Sequence, residues 1–337
     1  VICYTSNVMP AIQRSEFYLA LNQVATERGI DVDMVLETVK NAILAAYRKD
    51  HPMPEEEEEQ YHVDLNENTG EARVMKNDEN VTPPGFGRIA AQTAKQVILQ
   101  KVREKEKEAI LTDYREKIGQ VINGMVLRFV GPNIIVDIGR AEALMPVLEQ
   151  IPVEKYHVNQ RLSVFIVEIR DGIKGQEIIV SRTHNGLLEG LFRREVPEIA
   201  QGSVVVKAIA REAGARAKIA VAATQSGIDP VGSCVGQKGV RVQAVIQEFS
   251  GMEKIDIIEW DVDMKRFLAA ALSPAKDIEV MLDEHTKTAH VRVSNDQLSL
   301  VIGKEGQNVR LASKLTGYRI EIVGKDTPPE QVEAPEE

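Results

Sequence analysis

The sequence predicts an α+β protein built from several small domains in a row. Three observations support this class: a long charged helical stretch follows the N-terminal part, five short β-like runs lie in the middle, and a glycine-containing pattern occurs twice in the second half. A chain of 337 residues with 43% apolar residues can fill several separate cores. We therefore expect a multidomain protein with a helical and β-stranded head, a small barrel and a duplicated helix–sheet unit, in that order.

The N-terminal head is expected at residues 15–118, behind a disordered leader at 1–14. Ser15 can cap a helix that ends at Gly29, where the helical spacing of apolar residues stops. Asp31 can cap a second helix with the same kind of apolar spacing. Together the two helices predict a helical hairpin at the start of the head.

The rest of the head combines a charged run, two strands and a long helix. Glutamates at 55–59 repel one another, which predicts a solvated loop, with a docking site for a basic partner as the alternative. The residue pattern predicts strands at 61–65 and 72–76. Residues 88–118 predict one long connecting helix, because the first half has an apolar stripe and the middle is charged all round.

Five β-like runs with Gly and Pro between them fill residues 119–184. Five short strands in so small a segment favour a closed barrel, and an OB-fold is the simplest choice. OB barrels often bind oligonucleotides through stacking aromatic residues, but Phe129 and Phe165 are the only Phe candidates here. Whether the barrel is a strong nucleic-acid binder therefore stays open. The predicted strands are 120–128, 133–138, 142–147, 161–170 and 176–181.

A Gly-x-x-Gly pattern, with an apolar residue before it and a helical run after it, occurs at 235–243 and again at 302–310. Glycines three apart let the backbone turn sharply and approach a ligand, while the next helix offers free N–H groups and its positive dipole end. Such a loop suits a sugar–phosphate backbone, as in KH domains. One copy alone could be an ordinary helix-initiating turn, but two copies in matching contexts argue against that. Neither copy has the spacing of a Walker loop or a dinucleotide-binding loop.

Each glycine pattern lies in a segment that reads helix, strand, strand, two helices flanking the loop, and strand. This order of elements is predicted for residues 185–262 and again for residues 263–325, and it matches the prokaryotic-type (type II) KH topology. Because almost no linker separates the two segments, we expect them to pack rigidly and to offer one continuous groove. The acidic end at 326–337 predicts a disordered tail.

The two loops and the apolar positions beside them form the predicted RNA site. Their glycines allow close approach, their basic residues contact phosphate, and base preference comes from the apolar groove, because phosphate contacts are independent of sequence. Glu305 weakens the attraction to phosphate, so the first loop is expected to contribute more. The predicted RNA-binding residues are Gly236, Gln237, Lys238, Gly239, Arg241, Gly303, Lys304, Glu305, Gly306 and Arg310, with groove positions Val235, Val242, Ile302 and Val309.

Composition restricts the class of protein further. A formal net charge of −10 argues against coating nucleic acid through bulk charge, so any contact must be local. Cys3 and Cys234 lie far apart and the histidines lack ligand spacing, so we predict no disulfide, metal or cofactor. No carboxylate cluster predicts a catalytic site. Without a signal sequence, an apolar span or a heptad run, the chain is expected to be a cytoplasmic monomer with no membrane contact.

Five stretches of the chain are far more specific than a bare Gly-x-x-Gly: residues 88–97, 179–184, 229–236, 239–245 and 302–312. One lies at the start of the long helix, one at the end of the barrel and three around the two loops. In these stretches the chain resembles the NusA family of bacterial transcription elongation and termination factors. Together they extend the resemblance from about Ser15 to Gly324.

The resemblance implies a non-enzymatic factor whose acidic head docks on RNA polymerase near the RNA exit channel. The barrel, of the S-one type in this family, and the paired KH domains would hold nascent single-stranded RNA. The factor would then promote pausing and intrinsic termination, or support antitermination together with other Nus factors and an S10-type ribosomal protein. Two alternatives stay open: a ribosome-assembly or translation-associated RNA-binding protein, and the RNA-binding part of a ribonuclease.

Overall fold

A computed structural model describes residues 32–52, 54–66, 71–172 and 175–324. The predicted leader, the helix expected between Ser15 and Gly29, and the predicted acidic tail lie outside these ranges. The chain divides into two compact units, Val1–Asp113 and Tyr114–Glu337.

The described part of the first unit packs helices against a small antiparallel sheet with strand order β1-β2-β3. The apolar residues of its first helix recur at helical spacing, which places Val39 and Ile43 in the same core as Val74 of the sheet. The long helix adds Ala90 and Ala94 to this core, as its apolar stripe predicts. The elements are α1 (Val32–Asp50), β1 (Tyr61–Leu65), β2 (Ala72–Lys76), β3 (Glu79–Asn80) and α2 (Phe86–Arg115).

In the described part of the head, the local structure predicted for the glutamate run is wrong. Instead of a loop, the chain forms a 3-10 helix at Glu55–Gln60. Glu57 accepts a hydrogen bond from Lys76 Nζ at 2.7 Å, so one carboxylate of the run is neutralised by β2. The charge pattern predicts repulsion among neighbours but contains no information about a cation that the fold brings in from elsewhere.

The second unit begins with a closed five-stranded barrel of order β4-β5-β6-β8-β7. All five predicted strands are present, and the antiparallel pairing of β7 with β4 closes the sheet. The interior is apolar, with Val126, Val164 and Ile166 fully buried. The strands are β4 (Val121–Val130), β5 (Asn133–Asp137), β6 (Glu142–Met145), β7 (Arg161–Gly172) and β8 (Gly175–Ser181).

Two consecutive helix–sheet segments follow the barrel, and we call them the first repeat and the second repeat. Each has the predicted order of helix, two antiparallel strands, a loop between two helices, and a last strand that pairs in parallel with the strand before the loop. The first repeat has α3 (Asn185–Glu195), α4 (Pro197–Ala200), β9 (Val204–Glu212), β10 (Arg216–Ala223), α5 (Pro230–Val235), α6 (Val240–Glu248) and β11 (Lys254–Glu259). The second has α7 (Met264–Ala271), β12 (Glu279–Asp283), β13 (Thr288–Val293), α8 (Leu298–Ile302), α9 (Gln307–Thr316) and β14 (Arg319–Gly324).

The two repeats share one apolar core, so the close packing predicted from the short linker is observed. Small side chains on the sheet of the first repeat, Ala210 and Ala220, lie in one cluster with Phe267 and Leu311 on the helices of the second. Trp260, between the repeats, packs against the same cluster. Because this contact removes apolar surface from water, it stabilises one fixed arrangement of the two repeats.

Two buried ion pairs lie where the barrel meets the first repeat, and Arg211 Nη2 donates across this junction to the Arg182 carbonyl oxygen at 3.0 Å. The Arg182 side chain is 0% exposed, and its guanidinium donates to both carboxylate oxygens of Glu154 at 3.0 and 2.5 Å. Arg211 of β9 makes a similar pair with Glu253 at 2.6 and 2.9 Å. Both guanidiniums lie near the ring of Phe249, at 5.3 and 4.7 Å from its centroid. These contacts satisfy the buried charges and fix the barrel against the repeat.

Candidate nucleic-acid interface

The two glycine loops have the same backbone conformation. Gly236 and Gly303 have φ, ψ of 75°, 174° and 73°, 176°. At the third position, Lys238 and Glu305 both have a φ of 52°, which is uncommon for residues with a side chain. The last glycines, Gly239 and Gly306, follow with φ, ψ of 80°, 12° and 72°, 13°. The two loops therefore share their backbone conformation as well as their sequence pattern.

The two glycines of each loop serve different purposes. A Cβ added to Gly236 would come within 2.8 Å of Arg241 Cγ, and one on Gly303 would come within 2.9 Å of the backbone nitrogen of Asn308. The first glycine therefore permits close packing against the following helix. A Cβ on Gly306 would meet nothing within 4 Å, and one on Gly239 only a Val242 methyl at 3.9 Å. The second glycine thus leaves open space beside the backbone.

Arg241 and Asn308 occupy the same position in the two loops and perform the same task. Arg241 Nη1 donates to the carbonyl oxygen of Ser233 at 2.6 Å. Asn308 Nδ2 donates to the corresponding carbonyl oxygen of Leu300 at 3.1 Å, and also to that of Val301 at 3.1 Å. Each side chain thereby satisfies the C-terminal carbonyl groups of the helix before the loop. Sequence reasoning missed Asn308, although its alignment with Arg241 is visible in the duplicated pattern.

The two arginines predicted to contact phosphate are bonded within the protein. Arg241 Nη1 lies 3.0 Å from Glu198 Oε2. Arg310 donates to both carboxylate oxygens of Glu212, at 2.5 and 3.1 Å, and to the Glu305 carbonyl oxygen at 3.1 Å. The two arginines are not equivalent in position, because Arg310 lies two residues after the position that Arg241 shares with Asn308. Both guanidiniums hold the local structure of the loops.

The lysines of the loops have no such partners. Lys238 and Lys304 are exposed, and within the described residues neither ammonium group makes a hydrogen bond or an ion pair. Gln237 and Glu305 are exposed as well. Each loop thus presents one uncommitted cation beside an open glycine, and the second loop also presents a carboxylate.

Apolar side chains flank both loops at the predicted groove positions. Val235, Val242 and Val309 are half-buried, and Ile302 is 40% exposed. Val242 packs against the core of the first repeat, so part of its surface is structural. Further apolar surface that the sequence reasoning did not assign is supplied by Val240 at 66% exposure and Leu300 at 45%.

Cys234 lies two residues before Gly236 and is fully buried. Burial raises the pKa of its thiol to about 12, so the group is neutral and packs as an apolar side chain. Among the residues that the structure describes, no cluster of His, Cys, Asp and Glu could hold a metal ion. Within the same residues, no helix is both long and apolar enough to cross a membrane.

Three family models match the chain. The NusA N-terminal domain matches residues 16–84 and 78–108, the NusA-like first KH domain matches 182–260, and the NusA-like second KH domain matches 264–330. The transcription termination/antitermination protein NusA of Bacillus subtilis is 42% identical over 340 residues, which cover 91% of this chain and 90% of that protein. The chain belongs to the NusA family.

Other NusA proteins match over a similar length. That of Thermus thermophilus is 41% identical, with 90% of this chain and 89% of that protein covered, and that of Mycobacterium tuberculosis is 43% identical, with 92% and 93% covered. The solution structure of the N-terminal domain of NusA from B. subtilis covers 27% of this chain at 30% identity with a TM-score of 0.23.

Family membership confirms the resemblance inferred from the sequence. The chain is a transcription termination/antitermination factor and not an enzyme, and the two NusA-like KH domains are its RNA-binding modules. The first and second repeats are these KH domains, which places both glycine loops in RNA-binding modules.

Proposed function

We propose that the two loops grip one single strand of nascent RNA, and that the chain uses this grip to modulate pausing, intrinsic termination and antitermination. The observation that carries the proposal is the repeated loop shape: an open glycine and an uncommitted lysine occur twice, on two repeats that share a core. The open space beside Gly239 and Gly306 would let the phosphates come close to the backbone, and the following helices would add their positive dipole ends.

The roles of the site residues follow from their surroundings. Gly239 and Gly306 allow the close approach, Lys238 and Lys304 contact phosphate, and Gln237 supplies a neutral hydrogen-bonding group. Gly236 and Gly303 hold each loop against its helix. Bases lie against the groove positions Val235, Val242, Ile302 and Val309. The first loop contributes more affinity, because Glu305 places a negative charge in the second loop.

Arg241 takes a structural role in this proposal, because its guanidinium is already bonded to Glu198 and to the Ser233 carbonyl oxygen. Arg310 reaches phosphate only if it leaves Glu212. We therefore assign the phosphate contacts first to the two lysines.

We propose that the barrel is an OB-fold of the S-one type and extends the RNA path. The strand order β4-β5-β6-β8-β7, with β6 and β8 parallel, supports this assignment. Phe129 is 47% exposed on β4 and could stack on a base, whereas Phe165 is buried and stacks on His184. We propose that the head spans residues 15–118, the barrel 119–184 and the KH domains 185–262 and 263–325.

We propose that the head docks the factor on RNA polymerase, where other Nus factors join it. The match to the NusA N-terminal domain supports this role for the head. The protein would act in the cytoplasm as a monomer. Affinity purification from cells tests the partner: RNA polymerase should co-purify, and ribosomal subunits in its place would contradict this docking.

RNA binding is tested with the full chain and a fluorescein-labelled pool of single-stranded RNA. Gly239→Asp and Gly306→Asp each place a carboxylate in the open space beside a loop, and we expect each to lower RNA affinity at least about tenfold. Both variants should unfold as cooperatively as the parent chain. Unchanged affinity in both variants would contradict the proposed site.

A further inference from the structure

Glu212 belongs to the first repeat, but its carboxylate lies at the glycine loop of the second. It accepts hydrogen bonds from Arg310 Nε at 2.5 Å, Arg310 Nη2 at 3.1 Å and Gln307 Nε2 at 2.8 Å. Gln307 directly follows Gly306, the open glycine of that loop. A carboxylate of the first KH domain therefore lies at the first turn of α9, the helix with which the second KH domain would hold RNA.

The strand geometry explains how Glu212 reaches this place. Neighbouring residues of a strand point to opposite faces of the sheet. Arg211 bonds Glu253 and the carbonyl oxygens of Arg182 and Thr183, on the barrel side of the first repeat. Glu212, the next residue, must then point to the other face, which the helices of the second repeat cover.

The bidentate pair of Arg310 and Glu212 gives the second loop a different net charge from the first loop. In the first loop Lys238 keeps an uncommitted positive charge. In the second loop Glu305 adds a negative charge directly after Lys304 in the sequence, and Arg310 is paired with Glu212, which is only 22% exposed. The hydrogen bonds from Arg310 and Gln307 also hold the pKa of Glu212 below its usual range, so the carboxylate is ionised at neutral pH.

We propose that Glu212 is an intramolecular competitor of RNA phosphate, which holds Arg310 away from the strand and weakens RNA binding at the second loop. The proposal rests on the proposed function, because it concerns how the second loop binds RNA. A planar guanidinium paired bidentately with a carboxylate is in the geometry that it would adopt on a phosphate. Arg310 is 48% exposed, so an incoming strand has access to it.

The test measures binding of a labelled single-stranded RNA pool to the full chain with Glu212→Gln, Arg310→Gln and both changes. Glu212→Gln should tighten binding roughly threefold or more and steepen the salt dependence by about 0.7 in log K against log salt, the value for one added phosphate contact. Arg310→Gln alone should change affinity less than about twofold, yet it should abolish the gain in the double variant. Glu284→Gln, an exposed carboxylate in the β12–β13 turn, makes the same change in net charge and should bring no such gain.

Two results would overturn the proposal. One is a Glu212→Gln chain that binds RNA equally or more weakly, which would make the pair a purely structural tie between the repeats. The other concerns the loss of RNA affinity that Arg310→Gln causes. If this loss is as large in the parent chain as in the Glu212→Gln chain, Glu212 does not hold Arg310 away from RNA. Thermal unfolding of each variant checks that it is folded. Gln307→Ala removes one hydrogen bond to Glu212 without changing the net charge, and it should bring no gain in RNA affinity. If Gly306→Asp leaves affinity intact, it is the RNA site at this loop that fails, which separates the two failures.

Discussion

Gly303 and Gly306 share a left-handed φ, of 73° and 72°, but differ in their surroundings. Gly303→Ala brings a Cβ within 2.9 Å of the Asn308 backbone nitrogen, whereas Gly306→Ala meets nothing within 4 Å. Backbone strain acts in the same direction as this clash, because Gly303 has a ψ of 176°, a conformation essentially restricted to glycine, whereas Gly306 has a ψ of 13° and lies in the left-handed helical region that other residues can adopt. We expect Gly303→Ala to lose about 2 kcal/mol more unfolding free energy than Gly306→Ala in urea titrations. Equal losses would contradict both the clash and the added backbone strain at Gly303.

The buried pair of Arg182 and Glu154 allows a second prediction at this scale. Glu154→Gln leaves the guanidinium buried without its counter-charge, so we expect a loss of about 3 kcal/mol or more in the free energy of unfolding. The control is Glu195→Gln, which breaks an ion pair with Arg194 whose side chains are 41% and 31% exposed. That change should cost less than about 1 kcal/mol in the same urea titration. Similar losses in the two variants would contradict the view that burial makes the Arg182–Glu154 pair costly to break.

Individual residues also show where sequence reasoning stops. The glycines and the loop lysines are predictable, because backbone conformation and local charge are properties of a short segment. The engagement of Arg241 by Glu198 and of Arg310 by Glu212 is not, since the partners lie 43 and 98 positions away in the chain. A positive charge in a motif gives no indication of whether a distant carboxylate already neutralises it.

At the scale of elements, Lys218 on β10 lies under the second repeat. Its side chain is 0% exposed, and Nζ donates to Asp256 at 3.2 Å and to the Ser273 carbonyl oxygen at 3.3 Å. Burial lowers the pKa of Lys218 below 10.5, so the unfolded chain binds the proton more tightly than the folded one. The free energy of unfolding must therefore rise with pH as Lys218 loses its proton in the folded state.

We expect Lys218→Met to be as stable as the parent chain at neutral pH or more stable, by about 1 kcal/mol, because Asp256 keeps its pair with Arg216. This advantage should shrink as pH rises toward 10.5, since only the parent chain gains stability by losing the Lys218 proton. Urea titrations across that pH range check both statements. Lys254→Met, at an exposed position on the neighbouring strand, should show no such trend. A constant difference for Lys218→Met would contradict the lowered pKa.

Helices and strands were predictable where their pattern is long. Period-two alternation and glycine-bounded runs locate the barrel strands and the strands of both repeats within a few residues. The two-residue strand β3 and the 3-10 helix at Glu55–Gln60 are too short to show a period. They form because β2 supplies a pairing edge to β3 and a lysine to the 3-10 helix, and this lysine lies 19 positions from the glutamate that it bonds.

The net charge of −10 gives a prediction for the molecule as a whole. If only the two loop lysines contact phosphate, log K should fall with log salt with a slope of only about −1.4, which is about 0.7 for each contact with a single strand. Lys238→Gln should reduce the slope by about 0.7, whereas Lys49→Gln in the head should leave it unchanged. A much steeper slope in the parent chain would mean that a wider basic surface takes part.

Trp260 is the only tryptophan among the 337 residues, and it packs against the core that the two repeats share. Lys207 Nζ lies 4.9 Å from the centroid of its ring. Intrinsic emission excited at long wavelength therefore comes from a single known place in the protein. If the wavelength of the Trp260 emission stays the same when RNA binds, the packing between the two repeats is unchanged by RNA. If the wavelength shifts, RNA binding changes the packing between the two repeats.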